Sequence, residues 1–159
     1  MVEELQRFYR RRYDDEGDST PVSTTEFAPP RGHFVIGWAD GEAVACGGWR
    51  ARDGGDDPAL RPGDAEIKRM YVRDAHRGRG FARALLAELE RTAAAAGRLR
   101  CVLETGTAQP EAIALYVSAG YAPMPKFGTY REYENSRCFA KPVAAPTAAP
   151  IIAIGRSDQ

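Results

Sequence analysis

One short segment of the chain alternates arginine with glycine and reads Arg77-Gly78-Arg79-Gly80-Phe81-Ala82. Because glycine has no Cβ, its backbone N–H group can approach an anion closely, and an arginine guanidinium supplies forked donors that fit phosphate oxygens. A helix that begins directly after the segment would add the partial positive charge of its N-terminus. These residue types at this spacing predict a phosphate-binding loop.

The flanking residues predict a β-α-β unit around this loop. Upstream, the apolar Ile67 and the aliphatic and aromatic residues 70–72 make residues 65–72 a plausible strand. Downstream, apolar residues recur about every four positions over 81–93, as on one face of a helix, and Gly97 is a typical helix end. A second apolar run at 99–103 predicts the next strand. The predicted anion site therefore lies at the start of the helix.

Two common nucleotide-binding patterns do not fit this loop. The dinucleotide pattern Gly-x-Gly-x-x-Gly fails because Arg83 stands where a third glycine would follow Gly78 and Gly80. The nucleoside-triphosphate loop needs Gly-Lys followed by Ser or Thr, and the sequence has no such run. The remaining interpretation is the pyrophosphate of a different cofactor.

At this point the chain resembles the GNAT superfamily of acetyl-CoA-dependent N-acetyltransferases. The pyrophosphate loop of that family follows the pattern Gln/Arg-x-x-Gly-x-Gly/Ala, and Arg77, Gly80 and Ala82 occupy its fixed positions. Residues 112–121 are similar to a later helix of the family, in which a tyrosine one turn before a Gly-aromatic pair faces the cofactor sulfur. Here that tyrosine is Tyr116. The resemblance covers roughly residues 32–142 of the sequence.

The resemblance implies an α/β fold, classed as α+β in some schemes, with a mixed, mostly antiparallel twisted sheet flanked by helices. The usual first strand is expected to be missing, because a helical pattern already begins at Met1. Such a loss would expose a sheet edge. We therefore expect another segment, or a partner chain in a homodimer, to cover that edge.

The resemblance also implies acetyl transfer from acetyl-CoA, the co-substrate, to a primary amine of a small molecule or peptide by direct attack. Glu66 is the predicted base, acting through a water, and Tyr116 is the predicted acid for the leaving thiolate. Reference pKa values of about 10 for a phenol and about 8.5 for a thiol permit that transfer. The resemblance further implies that a strand N–H group near Met70 or Tyr71 would hold the oxyanion. The predicted cofactor-binding residues are Met70, Tyr71, Val72, Arg77, Gly78, Arg79, Gly80, Phe81, Ala82 and Thr105. The predicted acceptor-binding residues are Arg69, Glu104 and Tyr130.

Each of these roles has an alternative. Glu66 could be a surface carboxylate paired with Lys68 or Arg83, in which case Glu104 is the second candidate base. Tyr116 could be a core aromatic on an alanine- and leucine-rich helix face. The whole chain could be a non-catalytic acyl-CoA-binding or sensor module, although the joint presence of Glu66 and Tyr116 favours catalysis.

Composition limits the remaining function classes. The 159 residues include 22 acidic and 22 basic side chains, so no global charge attracts nucleic acid or an anionic membrane. The length fits one domain at 1–142, followed by an Ala/Pro-rich tail at 143–159. Three cysteines in apolar runs predict reduced thiols and a cytoplasmic location. The sequence shows no signal-peptide pattern and no membrane-spanning run, and its two isolated histidines predict no metal site.

Overall fold

The structure is a computed structural model that describes residues 3, 4, 7 and 23–143. Predictions about the other residues, which include nearly all of the 143–159 tail, lie outside this described part. Glu3, Glu4 and Arg7 are helical, as the N-terminal pattern predicts. The strands and helices of the remaining part are β1 (Gly32–Ala39), β2 (Glu42–Arg52), β3 (Asp64–Val72), α1 (Phe81–Ala95), β4 (Arg100–Gly106), α2 (Pro110–Ser118), β5 (Ala122–Met124) and β6 (Ser136–Pro142).

Six strands form one sheet in the order β1-β2-β3-β4-β6-β5. Neighbouring strands are antiparallel except β3 and β4, which are parallel because α1 carries the chain back between them. This arrangement confirms the predicted fold class and the predicted β-α-β unit.

The two helices contribute to one apolar core with the sheet. The α1 side chains Leu85, Leu86, Leu89 and Ala93 are buried in the same cluster as Tyr116 of α2 and residues of β2, β3, β4 and β6. Gly97 follows α1 with a φ of 78°, and the Arg98 N–H donates to the Ala93 carbonyl at 3.0 Å. The glycine therefore ends the helix as predicted. No helix among the described residues is both long and apolar enough to cross a membrane.

The pair Asp40-Gly41 in the sequence predicts a two-residue hairpin turn, which the structure confirms, whereas one short strand has no such signal. Asp40 and Gly41 join β1 to β2 with positive φ angles of 51° and 77°, which suit a tight two-residue turn. β5 was missed because it is only three residues long and contains Pro123. A proline lacks the N–H donor that a strand ladder uses, and it is tolerated here because β5 lies at the edge of the sheet.

β3 and β4 pair only at their first residues, and this feature positions the site. Their register runs from Asp64 opposite Arg100 to Glu66 opposite Val102. Further along β3, Arg69 adopts a left-handed φ of 62°, and the β2–β3 register contains no partner for Arg69 or Met70. The two parallel strands therefore part beyond Glu66, and a gap opens between them.

The edge strand β1 carries exposed apolar side chains. Phe34, Ile36 and Trp38 alternate along the strand and are 37%, 48% and 65% exposed. Among the described strands β1 pairs with β2 alone. The expectation that another segment or a second chain covers this edge stays a prediction.

Candidate functional site

A cavity of about 670 Å³ opens where β3 and β4 part. It extends from the start of α1, past the end of β3, to α2 and the loop before β6. It brings together most of the predicted site residues: Arg69, Met70, Tyr71, Val72, Arg77, Gly78, Gly80, Phe81, Ala82, Glu104, Thr105, Tyr116 and Tyr130. Two predicted residues, Glu66 and Arg79, do not line it. We call this space the larger cavity.

Sequence reasoning missed several residues that also line the larger cavity. They come from both helices and from the segment before β6, and they include Arg83, Gln109, Leu115, Asn135 and Ser136. Arg83 carried a signal, since it is one turn inside the helix that follows the loop. In the segment before β6, Tyr130 is a predicted residue, whereas Asn135 and Ser136 belong to no motif, because their position depends on the β4–β6 pairing.

The glycine loop has the backbone geometry of an anion site. Gly78 and Gly80 have φ angles of 73° and 84°, and Gly80 is the N-cap of the fifteen-residue helix α1. Among the described residues, no heavy atom lies within 4 Å of the position that a Cβ on either glycine would take, so open space lies in front of both. The first turn of α1 contains no acidic residue, and its N–H groups have no carbonyl partner within the helix. A phosphate group fits this cradle through backbone donors.

The three arginines near the loop have different roles. Arg77 donates through Nε to the Val72 carbonyl at 3.1 Å and pairs with Asp74 at 3.1 Å, so it braces the loop against β3. Arg79 lies 5.2 Å from the centroid of the Phe81 ring, outside the larger cavity. Arg83 donates to the Ser118 hydroxyl at 2.6 Å and thereby ties α1 to α2. The predicted contacts of Arg77 and Arg79 with phosphate stay predictions.

Tyr116 is both a core residue and a wall of the larger cavity. It is 8% exposed, and its ring contacts those of Tyr121 and Phe139 at centroid distances of 5.8 Å and 6.5 Å. Its hydroxyl points toward Met70, with the oxygen 4.0 Å from the sulfur. The two interpretations of Tyr116 are therefore compatible, because packing fixes the ring and leaves the hydroxyl beside the irregular part of β3.

A smaller cavity of about 300 Å³ adjoins the larger one and has charged walls. Lys68 and Glu104 line both cavities. The remaining residues around the smaller cavity are Glu26, Arg50, Arg52, Glu66, Gly128 and Thr129. A molecule that spans both spaces would pass a cation and an anion at their junction.

Glu66 lies in the smaller cavity, within a buried ion-pair network. Its Oε2 accepts hydrogen bonds from Arg50 Nε at 2.9 Å and Arg52 Nη1 at 2.7 Å, and its Oε1 is 3.9 Å from Lys68 Nζ. Arg50 also donates through Nη1 to both carboxylate oxygens of Glu26, at 3.1 Å and 3.2 Å. Burial disfavours the charged form of Arg50, but Glu66 and Glu26 raise its pKa above its usual value. Glu66 thus pairs with two arginines of the neighbouring strand β2. Spacing along the sequence does not reveal these partners, because the pairing of β2 with β3 brings them together.

All three cysteines are buried free thiols. Burial raises the pKa to about 11 for Cys46, about 12 for Cys101 and about 11 for Cys138. Because the thiolate is the nucleophilic form, none of them is suited to form an acyl-enzyme near neutral pH. The described residues also contain no group of three or more His, Cys, Asp and Glu side chains that could hold a metal ion.

Known proteins resemble this chain in sequence and in fold. The acetyltransferase (GNAT) family model matches residues 1–121. The IAA acetyltransferase of Azospirillum brasilense is 33% identical over 143 residues, which cover 90% of this chain and 88% of that protein.

Solved structures agree with the family match. A Klebsiella pneumoniae protein provisionally described as an acyl-CoA N-acyltransferase is 31% identical, with a TM-score of 0.66 over 77% of this chain and 80% of its own. The PaiA N-acetyltransferase of Thermoplasma acidophilum, in complex with coenzyme A, is 17% identical and has a TM-score of 0.56. The match covers 70% of this chain and 61% of that protein, and it supports the fold alone. The chain therefore belongs to the acetyltransferase (GNAT) family, whose enzymes use an acyl-CoA.

Proposed function

We propose that this enzyme transfers the acetyl group of acetyl-CoA to a primary amine of a small molecule or peptide by direct attack. One observation carries the proposal: the parting of β3 and β4 places the glycine loop, the Tyr116 hydroxyl and the Glu104 carboxylate around one cavity. Buried, protonated thiols argue against a covalent cysteine intermediate, which favours direct attack by the acceptor.

The residues present fit acetyl-CoA. The pyrophosphate would be held by the backbone N–H groups that follow Gly78 and Gly80, with the α1 dipole adding positive charge. The apolar stretch of the larger cavity beside Met70, Ala112 and Leu115 suits a pantetheine arm. Acetyl-CoA supplies the activated acetyl thioester. The N–H groups at Met70 and Tyr71 would receive its carbonyl oxygen.

A direct test is thiol release from acetyl-CoA in the presence of a panel of polyamines, amino acids, aminoglycosides and peptides with free N-termini. We expect release that depends on at least one class of primary amine, with formation of the acetylated amine checked by mass spectrometry. Tight binding of acetyl-CoA without turnover on any amine would instead support the non-catalytic sensor.

Two carboxylates are candidates for taking the proton of the acceptor amine. A general base must reach that proton directly or through one water. Glu104 lines both cavities, so it can face an amine that approaches the larger one. Glu66 lines only the smaller cavity, where two arginines occupy its Oε2. We therefore propose Glu104 as the proton acceptor and Glu66 as the residue that orients Arg50 and Arg52. The role of Glu66 as base stays the competing prediction.

The pH dependence of two matched variants separates these roles. We expect Glu104→Gln to lower kcat by about 100-fold near neutral pH, because general-base assistance is lost. The loss should shrink as pH rises, since more of the amine is then already deprotonated. Glu66→Gln should change KM for the acceptor by a factor that is nearly constant across pH. The opposite assignment of the two pH profiles would identify Glu66 as the base.

Tyr116 is proposed as the acid that protonates the departing thiolate. Tyr116→Phe removes only the hydroxyl and keeps the ring packing against Tyr121 and Phe139. We expect kcat to fall by about 100-fold with acetyl-CoA affinity nearly unchanged, as measured by steady-state kinetics and calorimetry. Tyr121→Phe is a matched control, because Tyr121 is buried nearby but does not line the larger cavity. Equal turnover in the Tyr116→Phe variant and the wild type would remove Tyr116 from this role.

A further inference from the structure

One arginine side chain in the smaller cavity has hydrogen-bond donors that the ion-pair network around it does not engage. Arg50 and Arg52 lie two residues apart on β2, so both side chains are on one face of the sheet. Arg50 is engaged at Nε by Glu66 and at Nη1 by Glu26, and its side chain is 8% exposed. Within the described part of the chain, Arg52 contacts Glu66 through Nη1, and its side chain is 26% exposed. The Nε and Nη2 donors of Arg52 therefore remain for a ligand.

Such a guanidinium is suited to a carboxylate. Arginine offers paired N–H donors in a fixed plane that match the two oxygens of a carboxylate. The Lys68 side chain, 12% exposed, lines the same cavity and adds a second positive charge. Because these side chains are largely buried, their charges act more strongly than they would on an open surface.

The side chains at the junction of the two cavities indicate that the ligand also carries an amine. Lys68 and Glu104 line both spaces, so a positive and a negative side chain border the junction of the two cavities. A ligand with its carboxylate near Arg52 and Lys68 would present an adjacent ammonium group to Glu104. A second ammonium in the smaller cavity would meet Arg50, Arg52 and Lys68 beside the carboxylates of Glu26 and Glu66, which these cations already pair, so a polyamine fits less well.

We propose that the acceptor is an amine that carries a carboxylate, as an amino acid does, with the carboxylate held in the smaller cavity by Arg52. This assignment deepens the proposed acetyl transfer and rests on it. Glu66 then acts as a positioning residue, since it holds Nη1 of Arg52 at 2.7 Å and does not engage the Nε and Nη2 donors of that side chain, which lines the cavity. Tyr130 and Tyr133, whose rings are in edge contact at 5.5 Å, would border the remaining part of the acceptor in the larger cavity.

The first test uses the wild-type enzyme and matched acceptors. Thiol release from acetyl-CoA is measured with each proteinogenic amino acid, and then with the amide and the decarboxylated amine of those that react. We expect kcat/KM for the free acid to exceed that of its amide by about tenfold or more, the effect of a charge-assisted hydrogen bond in a shielded site. Equal or better use of the amide and the amine would overturn the proposal.

The second test removes the guanidinium of Arg52, the group proposed to bind the acceptor carboxylate. Arg52→Gln should raise KM for the amino acid by about tenfold or more, with kcat and the KM of the matching amide nearly unchanged. Arg52→Lys, which keeps the charge, should recover part of the loss, and Arg31→Gln is a control at an arginine outside both cavities. A similar loss for acid and amide in Arg52→Gln would show a merely structural role and contradict the proposal.

The acceptor assignment and the proposed function can fail separately. If wild-type enzyme acetylates amines but shows no preference for a carboxylate, the acceptor assignment is wrong and acetyl transfer stands. If it binds acetyl-CoA and acetylates no amine of any class, the proposed function is wrong, and the acceptor assignment falls with it.

Discussion

The left-handed backbone at Arg69 is the constraint on which the site depends. An arginine at a φ of 62° is strained relative to a glycine, at a cost of roughly 1 kcal/mol. That conformation accompanies the shift in the β2–β3 register, and it takes Arg69 and Met70 out of the ladder. If β3 had kept regular pairing on both sides, β4 would continue beside it and the larger cavity would be closed by strand hydrogen bonds. The fold accepts this local strain, and a gap in the sheet results.

Main-chain groups and side chains lie on opposite sides of the gap and have different proposed roles. On one side, the proposed phosphate cradle consists of backbone N–H groups at Gly78, Gly80 and the start of α1, and Arg77 braces the loop. On the other side, charged side chains of β2, β3 and β4 line the smaller cavity. A backbone site binds a group that all acyl-CoA molecules share, whereas side chains can specify an individual acceptor. Under the proposed mechanism, this division explains why a short motif predicts the loop and no motif predicts the proposed acceptor site.

Local patterns predicted the elements, and long-range register decided the details of the site. The Asp40-Gly41 turn, the helical stripe of α1 and its end at Gly97 all depend on neighbours within a few residues, and each was predicted from the sequence. The partners of Glu66 were not. Lys68 and Arg83 were named only as alternative partners, for the case that Glu66 is a surface carboxylate. In the structure Glu66 is buried, Lys68 lies at 3.9 Å, and Arg50 and Arg52 make the short contacts, because the β2–β3 register places Arg50 opposite Glu66. Arg83 bonds Ser118 instead.

The most direct measurement is a crystal structure of the enzyme with a coenzyme A derivative whose acetonyl group cannot be transferred. We predict that the pyrophosphate lies against the backbone of Gly78 to Gly80 and that the ketone oxygen accepts a hydrogen bond from the N–H of Met70 or Tyr71. We also predict that the Tyr116 hydroxyl lies within hydrogen-bond distance of the sulfur. A cofactor bound away from the gap between β3 and β4, or a ketone oxygen without a donor from β3, would contradict the proposed mechanism.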